Sequence, residues 1–105
     1  MLQPKVITLL GFAVKSGKLL LGEYSVESGI KTKKAKLVIL AEDVSLRRRN
    51  ILQLWCADRN IAFLVMGTKE EFGKLLCKKP LGLLAVTDGQ MAKAICEAAV
   101  PGGGD

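Results

Sequence analysis

With no histidine among its 105 residues, the chain leaves proton transfer and nucleophilic chemistry to carboxylates, lysines, three cysteines and Tyr24. None of these falls into a clustered acid-base pair. Glu42 and Asp43 are adjacent after an apolar run, but neighbouring positions rarely converge on one substrate, and a solvated acid pair is the expectation. Cys56, Cys77 and Cys96 are odd in number, widely spaced and unaccompanied by histidine, against both a zinc site and a disulfide framework. They read as small core residues of a protein in a reducing cytoplasm. "GFAVKSGKL" has the outline of a phosphate-binding loop and fails as one. Gly11 to Gly17 is one residue too long, and Leu19 stands where a magnesium-binding hydroxyl belongs.

What remains is binding chemistry. Sixteen Lys and Arg oppose ten Asp and Glu, giving a net charge of +6 that suits a polyanionic partner. The basic residues gather at Lys15 and Lys18, in "KTKKAK" from Lys31 to Lys36, in "RRR" from Arg47 to Arg49, and at Lys78 and Lys79. The arginine run opens a helix, where cations oppose the macrodipole at a cost of roughly 0.3 to 1 kcal/mol each. An anionic partner or plain solvation would each accommodate it. "KKPLG" puts an apolar tip beside two lysines, a combination able to insert against unpaired bases while the cations meet phosphate. Gly22 separates "LLL" from an acid-led helical segment. A glycine there permits a sharp turn and leaves the first helical N–H groups free for an anion or a base edge.

The elements that must hold these groups follow from apolar spacing. Pro4 and the recurrence of Val6, Leu9, Leu10, Ala13 and Val14 predict a first helix stopped by Gly17. Strands are expected at Leu19–Leu21, Lys36–Leu40, Ile61–Met66 and "LLAVT" from Leu83. Helices are expected at Glu23–Lys31, at Leu46–Arg59 behind a Ser45 cap, from a Thr68/Glu71 capping box to Cys77, and at Gly89–Ala99. Half the residues are hydrophobic and only 5% aromatic, the composition of an aliphatic layered core. The pattern predicts an α/β fold, a three-layer α/β/α sandwich around a mixed four-stranded sheet. One domain over residues 1–100 and a flexible tail at 101–105 are expected, without a leader, a membrane segment or a cofactor.

"GEYSVESGI", "AKLVILAEDV", "EEFGKLL" and "GLLAVTDGQMAKAI" in this order resemble the ribosomal protein L-seven-Ae family, which binds kink-turn RNA, and within it the bacterial YlxQ-type branch. The resemblance runs from about Pro4 to Ala98 and implies the same sandwich, no catalytic activity, and a structured RNA partner such as ribosomal RNA. It also implies that RNA meets the start of the second helix and the loop before the last strand. The residues so indicated are Gly22, Glu23, Tyr24 and Ser25 with Lys78, Lys79, Pro80, Leu81 and Gly82, supported by Lys15 and Lys18. The family's recognition string runs glycine, small residue, asparagine, glutamate, then lysine three further on. Here Glu23, Tyr24 and Ser25 follow Gly22, and Ser28 takes the lysine's place. Neither Glu23 nor Tyr24 reproduces a carboxamide's paired donor and acceptor. The alternative is a protein-interaction module that keeps the fold and has lost kink-turn recognition.

Overall fold

The computed structural model describes residues 2–99; the tail expected at 101–105 lies outside them. Pro4 stands at the start of α1 (Pro4–Lys15), where its missing N–H costs nothing. The chain then forms β1 (Leu19–Leu21), α2 (Glu23–Lys31), β2 (Leu37–Leu40), α3 (Leu46–Asp58), β3 (Ala62–Val65), α4 (Lys69–Leu75), β4 (Leu83–Val86) and α5 (Gly89–Ala99). The strands lie in the order β1-β4-β2-β3. β4 runs antiparallel to both neighbours, while β2 and β3 are parallel and joined by the α3 crossover.

β2 and β4 are buried along their whole length because helices cover both faces. Strand alternation divides their side chains between two cores. Leu37, Ile39, Leu84 and Val86 meet Val6, Leu10, Phe72 and Ile95 of α1, α4 and α5. On the other side Val38, Leu40, Leu83 and Ala85 meet Val26 and Ile30 of α2 and Leu52 and Cys56 of α3. The three-layer sandwich expected from the sequence is the fold observed.

Helix ends account for the differences from the expected boundaries. α4 stops at Leu75 because Cys77 turns into the left-handed region at φ 56. The Cys77 N–H then donates to the Lys74 carbonyl and the Lys78 N–H to the Gly73 carbonyl, the paired bonds of a Schellman motif. Cys77 is therefore exposed in a turn, not packed in the core as expected, whereas Cys56 is fully buried and Cys96 partly so. Burial raises the Cys56 thiol to about 11, against a smaller opposing pull from Arg59, and burial followed by Glu97 raises Cys96. Thr68 Oγ1 accepts from the Glu71 N–H as a capping box requires, while Glu71 Oε2 accepts from the Leu2 N–H, tying the start of the described chain to α4.

Candidate nucleic-acid interface

Gly22 has φ 87 and ψ 167, a combination reserved almost wholly for glycine. Its N–H is bound to the Leu83 carbonyl at 3.0 Å, so the chain leaves the sheet edge and enters α2 within one residue. As the N-cap, Gly22 supplies no side-chain hydrogen bond to the helix, and the N–H groups of the first turn lack intrahelical partners. Tyr24 projects from that turn with 89% of its surface exposed. Ser25 is half-buried beside it.

The 78–82 loop stands against this helix start. Gly73 lets it sit there, since a Cβ at that position would lie 2.8 Å from the Lys79 carbonyl oxygen and 3.0 Å from that of Lys78. Further along, the Leu81 N–H donates to the Lys69 carbonyl at 3.0 Å and the Ala41 N–H to the Gly82 carbonyl at 2.9 Å. Thus α4 and the end of β2 hold the loop from both sides. Lys78, Lys79 and Pro80 are exposed, while Leu81 and Gly82 are half-buried. Between the helix start and the loop lies an open cleft of about 330 Å³, lined by Gly22, Glu23, Arg48, Lys69, Pro80 and Leu81 over a floor that includes Leu40 and Leu52. Its size suits a small planar group, with apolar floor and charged rim.

Two groups at this cleft were not assigned their partners by sequence reasoning. Arg48 has an internal partner: its guanidinium bonds the Glu27 carboxylate, and its Nε lies 3.3 Å from Glu23 Oε1. One arginine of the "RRR" run thus offsets two carboxylates of α2. Asp43 Oδ1 accepts from the Lys69 N–H at 3.0 Å, so the acid expected to be merely solvated caps α4. A helix-start arginine run facing acids four apart on α2 was the available signal for the first; the second is a bond across 26 residues with no local signature.

The structure brings Gly22 and Glu23 together with Pro80, Leu81 and Gly82 in one cleft, while Tyr24 follows on α2 and lines a separate hollow with Glu27, Ser28 and Lys31. Ser25, Lys78 and Lys79 are neighbours in the chain and are not part of the cleft's lining. The structure does not bring Lys15 and Lys18 to this cleft. Lys18 lies beside Thr87, whose N–H donates to its carbonyl, at the end of β1 opposite Gly22. Among the described residues no cluster of His, Cys, Asp and Glu could hold a metal ion, and no helix is long and apolar enough to cross a membrane.

This fold also occurs in solved structures. A protein of unknown function from Bacillus halodurans C is similar at 26% identity and a TM-score of 0.84, over 90% of this chain and 95% of that one. A Giardia lamblia 15.5kD RNA binding protein shares the fold at 19% identity and a TM-score of 0.75, over 89% and 80%. No curated protein sequence matches the chain. Residues 5–96 match the family model described as the ribosomal protein L7Ae/L30e/S12e/Gadd45 family, and the chain belongs to that family.

Proposed function

We propose that the protein is a non-catalytic binder of structured RNA, associated with the ribosome or translation, and that it meets RNA with the α2 start and the 78–82 loop. The observation that carries this reading is the cleft that joins the two, with Pro80 and Leu81 in its wall, Lys78 and Lys79 exposed on the same loop, and the exposed Tyr24 ring next along α2 from Glu23. Its chemistry suits unpaired bases: Tyr24 supplies a stacking face, Leu81 and Pro80 an apolar wedge, Lys78 and Lys79 charge for the flanking phosphates. Family membership and the Giardia lamblia RNA binding protein of the same fold support the partner's class.

Kink-turn-like RNA is the proposed substrate, read differently from the family string. Glu23 is held toward Arg48, and a carboxylate so placed accepts from a base amino or imino group while repelling phosphate. The test is binding of a bulged RNA hairpin against the same hairpin without its bulge. Tyr24→Ala is expected to cost about 1 to 3 kcal/mol on the bulged RNA, the worth of a stacked base. Equal affinity of parent and Tyr24→Ala, with Leu81→Ser equally silent, would sink the proposal.

The alternative, a protein-interaction module, draws on the outer face of α3, where Leu46 and Leu54 are mostly exposed. Purification with a protein partner that survives nuclease treatment, together with no bulge-dependent RNA binding, would favour it.

A further inference from the structure

The positive charge of this molecule is concentrated away from the cleft. β1 and β2 both begin where β4 ends: Leu19 and Leu37 flank Val86 on either side. The Lys18 carbonyl accepts from the Thr87 N–H at 2.9 Å, and the Lys36 N–H donates to the Val86 carbonyl at 2.7 Å. Lys15 closes α1 just before this point, and Lys31, Lys33 and Lys34 lie on the turn from α2 into β2. These six lysines, distant in sequence, therefore share one end of the sheet, and all six are exposed. The carboxylates at that end are Asp58, at the close of α3, and Asp88, which is engaged in capping α5 through the Met91 N–H. At the cleft end, Glu23, Glu42, Asp43, Glu70 and Glu71 offset most of the cations.

Helix dipoles do not account for the cluster. The C-terminal ends of α1, α2 and α3 point this way and carry about half a negative charge each, which Lys15 and Lys31 in the last turns largely balance. Four more lysines exceed that need. Lys33 is held at φ 61, a conformation in which glycine or asparagine costs less, so a charge is kept there against the backbone's preference. Lysine is a hydrated point charge without the arginine fork, so six of them suit phosphates better than base edges.

We propose that the lysine cluster where β1 and β2 begin and β4 ends is a second RNA surface, which binds the phosphate backbone of a helical segment independently of its sequence. The partner's class rests on the RNA reading of the cleft; the surface itself does not use the cleft. In a body about 27 to 30 Å across, the two ends face apart, so the protein would bridge two segments of a folded RNA.

The probe is a blunt RNA duplex of about 20 base pairs, which offers no unpaired base to the cleft, titrated by fluorescence anisotropy across a salt series. Lys31→Gln/Lys34→Gln/Lys36→Gln is compared with Lys5→Gln/Arg47→Gln/Lys74→Gln, which removes the same charge elsewhere. The first triple variant is expected to lose about tenfold or more in affinity and to lower the salt slope by roughly 2 to 3, the control far less. Both are first matched to the parent in thermal melting. Should the first not fold, Lys15→Gln/Lys18→Gln takes its place with a slope change of roughly 1 to 2. Equal losses in patch and control variants, an unchanged slope, or no duplex binding at low salt would overturn the second surface. Leu81→Ser is expected to bind the duplex like the parent. If duplex binding falls with Leu81→Ser and not with the lysine variants, the cleft reading stands and the second surface fails. If only the lysine variants matter and no bulge is recognised, the reverse holds.

Discussion

Gly22→Ala isolates one physical quantity, the backbone conformation at the point where β1 gives way to α2. A Cβ at Gly22 would meet nothing within 4 Å, so the substitution adds no clash inside the protein. The whole cost comes from φ 87 and ψ 167, a region in which a residue with a Cβ is strained by about 1 to 3 kcal/mol. For a domain of this size each kcal/mol corresponds to roughly 4 to 8 °C, so the melting temperature is expected to fall by roughly 5 to 20 °C. Gly11→Ala is the matched control. Gly11 lies inside α1 with nothing within 4 Å of its own added Cβ, and there alanine should stabilise by about 0.5 to 1 kcal/mol. The same methyl group thus acts with opposite signs at two positions. Circular dichroism melts at neutral pH, with urea titrations to check that the m-value is constant, measure both. A Gly22→Ala variant as stable as the parent would refute the conformation on which the helix start is built. Bulged-RNA affinity in the same variant, measured well below its melting temperature, then reports whether the open space beside Gly22 is used by a ligand.

Cys77→Gly should stabilise by up to about 1 kcal/mol in urea, because relief of a left-handed residue outweighs the added freedom of the unfolded chain. Gly73→Ala should do the opposite, costing roughly 1 to 3 kcal/mol, since the atoms met by the new methyl are backbone carbonyls that cannot rotate away; bulged-RNA binding should weaken with it as the loop is pushed off α4. Cys56 gives a pH signature. Its thiol is raised in the folded state from 9.0 to about 11, so its contribution is fully present below about pH 9 and is lost as pH rises toward about 11. The stability difference between parent and Cys56→Ala should therefore shrink by about 2 to 3 kcal/mol over that window, read from urea melts; a constant difference would contradict the buried thiol.

Much of the scaffold was legible because its signals are local. "LVIL" from Leu37 to Leu40 has no polar position on either face, and only a strand covered on both sides satisfies that; β2 is such a strand. Gly22 was likewise legible as a pivot, since an apolar strand followed directly by an acidic helix start leaves room for little else. What was not legible depends on register. Whether Lys18 sits near Gly22 is decided by β1 running straight for three residues between them, which puts the two at opposite ends of the strand. The partnership of Arg48 with Glu27 and Glu23 depends on α2 and α3 covering the same face of the sheet, and the exposure of Cys77 on α4 ending two residues short of the expected point. Each is a long-range or terminal feature, and only the acids four apart on α2 gave a spacing signal for one of them.

The strand order also has a consequence for how the chain is made. β4 is the second to last element in sequence, yet it lies between β1 and β2 and is the strand that pairs with both. During synthesis from the N-terminus, β2, α3 and β3 can associate early as a local parallel unit, while β1 waits for a partner 67 residues ahead in the chain. Until Val86 emerges, the inner edge of β2 stands open with its backbone groups unpaired, and the apolar faces of α1 and α2 have half a sheet to cover. A nascent chain is therefore most exposed to mispairing in the interval before its last strand, and a fragment ending at Lys79 is expected to melt without a cooperative transition.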